Sequence, residues 1–148
     1  MTFEEIEAFR REPEALAFSN AWIREMRASL DDRNAPAGDH VINLSVWIPR
    51  HPHKALGLLL NLLDTEGINE DVQEMIAMGP ATAIVEETGE DFTAYLQHAV
   101  SCYPRFALFT KWNREHSEEQ TWMRLRNGKK AANQTPQTTT GSSAPDRV

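Results

Sequence analysis

Nine consecutive residues, Ala55–Leu63 (ALGLLLNLL), leave almost no polar position for water to meet. A surface helix needs one apolar stripe; a helix that is apolar nearly all round must be enclosed by other elements. The run is far shorter than the ~20 residues that cross a bilayer. Its length would also suit a strand, but leucine is a weak strand former and the flanking segments carry helical spacing. The expectation is a central helix with other helices packed around it, hence an all-α domain.

The flanks support this. Thr2-Phe3-Glu4-Glu5 has the form of a capping box, in which Thr2 accepts from the Glu5 amide and the Glu5 carboxylate reaches back. Phe3, Ile6 and Phe9 follow at helical spacing. Pro13 fits the first turn of a second helix, where its missing N–H costs nothing. Leu16, Ile23, Met26 and Leu30 mark one face of that helix, with Trp22 beside them. Asp31–Gly38 reads as a loop and Asp39 as the cap of a third helix. Val41, Leu44, Trp47 and Ile48 form its stripe, stopped by Pro49 and Pro52.

Beyond a loop at Asp64–Gly67, Asn69 caps a helix with Ile68, Val72, Met75 and Ile76 on one side. Gly79-Pro80 reads as a stop followed by a restart. A short helix through Ile84 and Val85 ends at Gly89, and Phe92, Leu96, Ala99 and Tyr103 repeat along the next. Pro104 interrupts again; Phe106, Phe109 and Trp112 continue to about His116, and Ser117–Arg126 reads as a weak helix. No segment alternates with period two between hairpin turns.

The predicted architecture is a compact domain of seven or eight short helices over residues 1–126, arranged from Leu44 onward as stacked antiparallel pairs. Residues 127–148 form a polar tail whose only large apolar residue is Val148, too little to offset the entropy of ordering it.

Charge is spread unevenly. The whole chain carries a net −7, but residues 1–116 hold 19 Asp+Glu against 10 Lys+Arg, a net of −9. Ala55–Pro104 contains nine acidic side chains and neither Lys nor Arg. Seven of the nine are Glu70, Asp71, Glu74, Glu86, Glu87, Glu90 and Asp91. Nucleic acid is not an expected partner of such a body, because phosphates need clustered cations. A basic protein is. A single cysteine, Cys102, excludes an internal disulfide and fits a reducing compartment. The acidic start MTFEEIEAFRREPE does not resemble a secretory leader, so the expected location is cytoplasmic, with no membrane partner.

Catalytic patterns are sparse. The glycines at 38, 57, 67, 79, 89, 128 and 141 form no phosphate loop, and GxSxG and HExxH are absent. His98 and Cys102 share a helix face, but no second pair is spaced to complete a zinc site, so they read as flanking the core and no metal or cofactor is expected. His51 and His53 read as exposed turn residues around Pro52. Glu90-Asp91 and Asn69-Glu70-Asp71 are explained by helix N-termini, where negative charge is favourable. Glu86 and Glu87 fall at a helix C-terminus, where it is not, and a binding role would explain that cost. Trp22, Trp47 and Trp112 read as core. Trp122, between Glu118-Glu119 and Arg124, has the surroundings of an interface anchor.

A set of motifs adds a resemblance: Ala21-Trp22-Ile23, Trp47, His51-Pro52-His53-Lys54-Ala55-Leu56, Met78-Gly79-Pro80, Ala99, Tyr103-Pro104-Arg105-Phe106 and Trp112. Over Ala21–Trp112 the chain resembles a family of small bacterial proteins grouped as domain of unknown function, family 6869. That family's pattern has an acidic residue shortly after Gly-Pro, where this chain has Ala81-Thr82. The resemblance implies a compact helical bacterial domain and no particular activity.

The leading functional expectation is thus an acidic helical binding domain of the immunity or inhibitor type, neutralising a basic partner. Its contact candidates are the seven carboxylates named above and Trp122. One alternative is a small-molecule-binding or enzymatic domain using His51, His53 or His98 with a carboxylate. Another is a scaffold or oligomerisation module whose charge only keeps it dispersed.

Overall fold

The computed structural model describes residues 1–108, and no strand occurs among them. Seven α-helices follow one another: α1 (Phe3–Arg10), α2 (Pro13–Asp31), α3 (Asp39–Arg50), α4 (Pro52–Asp64), α5 (Glu70–Ile76), α6 (Thr82–Glu87) and α7 (Thr93–Cys102). A π turn (Ala77–Ala81) joins α5 to α6, and a 3-10 turn (Glu90–Phe92) leads into α7. Residues 104–108 are helical again. The expected all-α class holds. Trp112, Trp122, the Ser117–Arg126 segment and the tail lie outside the described residues.

Helix α4 is the hub. All nine residues from Ala55 to Leu63 are buried, and α4 packs against α1, α2, α3, α5 and α6. Each enclosed leucine contributes about 1.5–3 kcal/mol of transfer free energy. Because α1 and α2 also lie on α4, contacts are not confined to sequence neighbours as they are in a linear repeat array.

Polar detail fastens this arrangement. The capping box forms, with Glu5 N donating to Thr2 Oγ1 at 3.1 Å and Thr2 N to Glu5 Oε1 at 2.7 Å. At the other end of α1, Arg10 donates to Glu7 (2.9 Å), to Asn61 Oδ1 (2.9 Å) and to Asp64 (2.7 Å), while Asn61 Nδ2 returns a bond to the Arg10 carbonyl (2.9 Å). Burial works against the Arg10 charge, but the Glu7 and Asp64 carboxylates outweigh it and push its pKa up. Arg105 closes the C-terminal end of α4, donating to the carbonyls of Leu63 (2.6 Å) and Thr65 (3.0 Å). A cation there meets the negative end of the helix dipole.

Several expectations are corrected. Ile23 and Met26 are buried in α2, but Leu16 and Leu30 are exposed; Ala15, Ser19 and Trp22 complete the inner face instead. Asp39 is not a cap. Gly38 holds that position, and Glu25 reaches across from α2 to accept from the amides of His40 (2.8 Å) and Val41 (3.1 Å). Pro49 lies inside α3, one residue before its end, and Pro52 opens α4.

Gly79-Pro80 does not stop the helix. The backbone stays helical from 70 to 87, and the π turn accommodates the proline, whose ring and missing N–H an ordinary α-turn accepts poorly. The Thr82 hydroxyl donates to the Ala77 carbonyl at 2.6 Å, supplying a partner within the widened turn.

The loop after α4 turns at Gly67, whose φ of 73° is left-handed. A Cβ there would meet nothing, so the only penalty of Gly67→Ala is conformational. Thermal unfolding of that variant is expected to report a loss of about 1 kcal/mol.

Candidate functional site

The acidic surface is built on the continuous helical path from 70 to 87. Val72, Ile76, Ala81, Ile84 and Val85 mark its buried line. Asn69 caps its start, accepting from the Val72 amide at 2.9 Å, which fixes where Glu70 and Asp71 emerge. Glu70, Asp71, Glu74, Glu86 and Glu87 are all exposed, away from the buried line. Glu90 and Asp91 follow, exposed, on the 3-10 turn. Because the π turn replaces a break, one rod of about 27 Å carries the acidic side chains of both α5 and α6.

Among the described residues, Glu70, Asp71, Glu74, Glu87, Glu90 and Asp91 make no ion pair. The nearest cation in sequence, Arg105, spends its Nη1 on backbone carbonyls at the end of α4. Like-charged groups left without internal cations create a negative potential that reaches about a Debye length into solvent.

Two exposed apolar features go beyond the sequence expectations. Met78 stands 65% exposed on the same rod, one turn beyond Glu74. Helix α3, which packs against α6 and the π turn, exposes Ile42 and Val46. Their signal was available: both fall outside the α3 stripe of Val41, Leu44, Trp47 and Ile48. Met78 sets an apolar side chain on the charged rod itself, as in interfaces where a few anchors determine lifetime and charge determines encounter.

The histidine candidates are placed differently from one another. His51 is exposed between α3 and α4. His53 is half-buried rather than exposed, its ring edge-on to Phe92 (5.2 Å) and Tyr95 (4.7 Å). Burial pushes its imidazole pKa down, and the positively charged N-terminus adds to this. Tyr95 pins that N-terminus by donating to the Met1 carbonyl.

His98 packs against Phe3 at 4.2 Å and lies 3.5 Å from Cys102 Sγ; both residues are exposed rather than set against the core. Among the described residues, the histidine paired with a carboxylate is His40, with Glu25, at the start of α3. That carboxylate is engaged in capping. No group of three His, Cys, Asp or Glu side chains among the described residues is placed to hold a metal ion, and no helix there is long and apolar enough to cross a membrane.

Comparison of the chain with protein-family models, with curated proteins and with solved structures finds no match.

Proposed function

We propose that this chain is an acidic helical binding domain whose partner is a basic protein, in the manner of an immunity or inhibitor protein. The observation that carries the reading is the rod from 70 to 87 with its following turn: seven exposed carboxylates in a stretch without lysine or arginine. Exposed Met78 supplies apolar contact on the rod itself. The bacterial setting that the resemblance implies suits such a pair.

The test uses the full chain, immobilised, against an extract of the source cell, with retained proteins released by salt and identified. The expected result is a basic protein whose association rate falls at least about tenfold between low and physiological ionic strength. A variant carrying Glu70→Lys, Glu74→Lys, Glu86→Lys and Glu87→Lys is expected to release it. These positions are exposed, so the variant should fold. Retention of the same protein by the reversed variant, or an association rate insensitive to salt, would overturn the reading.

A further inference from the structure

A cleft of about 370 Å³ opens where the α1–α2 junction meets the end of α4. It lies away from the acidic rod and takes no part in the proposed function. Among the described residues, two polar side chains are buried, Ser19 (2% exposed) and Asn61 (7%), and both line this cleft. The Arg10 side chain, only 12% exposed, bonds both Asn61 and Asp64 on the cleft wall. Leu16 adds an apolar wall, which explains a residue whose spacing placed it in the core.

Several polar groups of the cleft are left with capacity for a ligand. Ser19 donates to the Leu58 carbonyl (3.3 Å) and Thr65 to the Asn61 carbonyl (2.8 Å), so both hydroxyl oxygens remain as acceptors. Asp64 is half exposed and has a second oxygen beyond the one that holds Arg10. On the donor side, the bonds of Arg10 occupy three of its five N–H groups, and the Asn61 amide retains one. Arg11, 75% exposed, is held only loosely by Glu7 at 3.7 Å. Two cations, Arg10 and Arg11, and one anion, Asp64, line this one small volume. A plain anion would meet Asp64 and a plain cation would meet the guanidinium groups. A molecule with both poles and a short apolar body satisfies all of them.

We propose that this cleft binds a small zwitterion of the free α-amino acid class. Its carboxylate lies toward Arg11 and the spare Arg10 donors. Its ammonium group lies toward Asp64 and the hydroxyl acceptors, with its side chain against Leu16. The volume is at the lower end of the range of small-molecule sites, about 300–1,000 Å³.

The test is thermal unfolding of the full chain in the presence of each common amino acid, with acetate and methylammonium as single-pole probes. A saturable rise in Tm of about 5 °C is expected for at least one amino acid at roughly ten times its Kd. Arg11→Glu and Leu16→Trp alter exposed side chains and should fold, which their own unfolding curves will show; both should lose the shift. If no amino acid moves Tm, or both variants keep the full shift, or acetate or methylammonium alone reproduces it, the proposal fails.

Discussion

Replacing Gly57 by leucine is expected to lower stability by about 3 kcal/mol and move the urea midpoint down by about 1–2 M, whereas Gly57→Ala should change it little. The reason is the approach of α1 to α4. A Cβ at Gly57 would sit 3.1 Å from Phe9 Cδ2 and 3.5 Å from both Arg10 Cβ and Ile6 Cγ2. One methyl requires Phe9 to yield by a few tenths of an ångström, and alanine's better helix propensity, about 1 kcal/mol, offsets that. A leucine side chain adds three more carbons to a Cβ already against Phe9, Arg10 and the fully buried Ile6. Helix α1 would then lift off, and the exchange of bonds between Arg10 and Asn61 would break with it. Buried Asn61 would be left without those partners, adding to the cost. Equal destabilisation by alanine and leucine would show that the close approach is not what holds α1 down.

The contrast between these residues also shows what the sequence discloses. Apolar run length placed α4 at the centre, because enclosure is the only way to shield leucines on every side. Gly57 and Asn61, two of the residues of that run that are not leucine, gave no such reading, since their roles depend on what crosses α4 and from where. Local signals read well: Thr2 and Glu5, Pro13 and Asn69 act within a turn of themselves, and each does what its position suggests. Signals that needed a distant partner did not. Asp39 has the chemistry of a cap, but a carboxylate fourteen residues earlier takes the role. Leu16 has the spacing of a core residue, but the chain leaves a cleft beside it.

The candidate site was legible as composition and not as shape. A run without Lys or Arg can be counted, and its exposure follows from charge. Whether its two halves share one rod depended on Gly79-Pro80, where the sequence points to a break and the fold supplies a π turn. A proline's effect on a helix depends on whether a neighbouring turn can widen and whether a hydroxyl, here that of Thr82, can bond within it.

Glu25→Ala is expected to cost about 2 kcal/mol, measured as a fall in unfolding free energy near neutral pH. Gly38, at the N-cap of α3, has no side chain to offer the first amides of that helix. Glu25 does this from α2, accepting from His40 N and Val41 N and pairing with His40 Nδ1, while Phe18 packs on His40 and Trp47 at 4.9 and 5.3 Å. Losing the carboxylate leaves both amides unmet at a half-buried helix start. The glycine is part of the same device, because a Cβ at position 38 would fall on the Glu25 carboxylate. Gly38→Ala should therefore destabilise the wild type by about 1 kcal/mol and the Glu25→Ala background hardly at all, a non-additivity that a double-mutant cycle reads directly.

The acid limb of stability supplies a further readout of the same carboxylate. Burial alone would push its pKa up, but the bonds from the His40 side chain and the Val41 and His40 amides hold it below the ordinary 4.5. A carboxyl depressed in the folded state contributes fully above its unfolded value, and the contribution is lost as pH falls from about 4.5 through the folded value. In Glu25→Gln that share of the acid destabilisation should vanish, so the wild-type and variant curves converge as pH drops. Curves that stay parallel from pH 7 to pH 3 would show that the carboxylate's charge contributes nothing to holding α3 against α2.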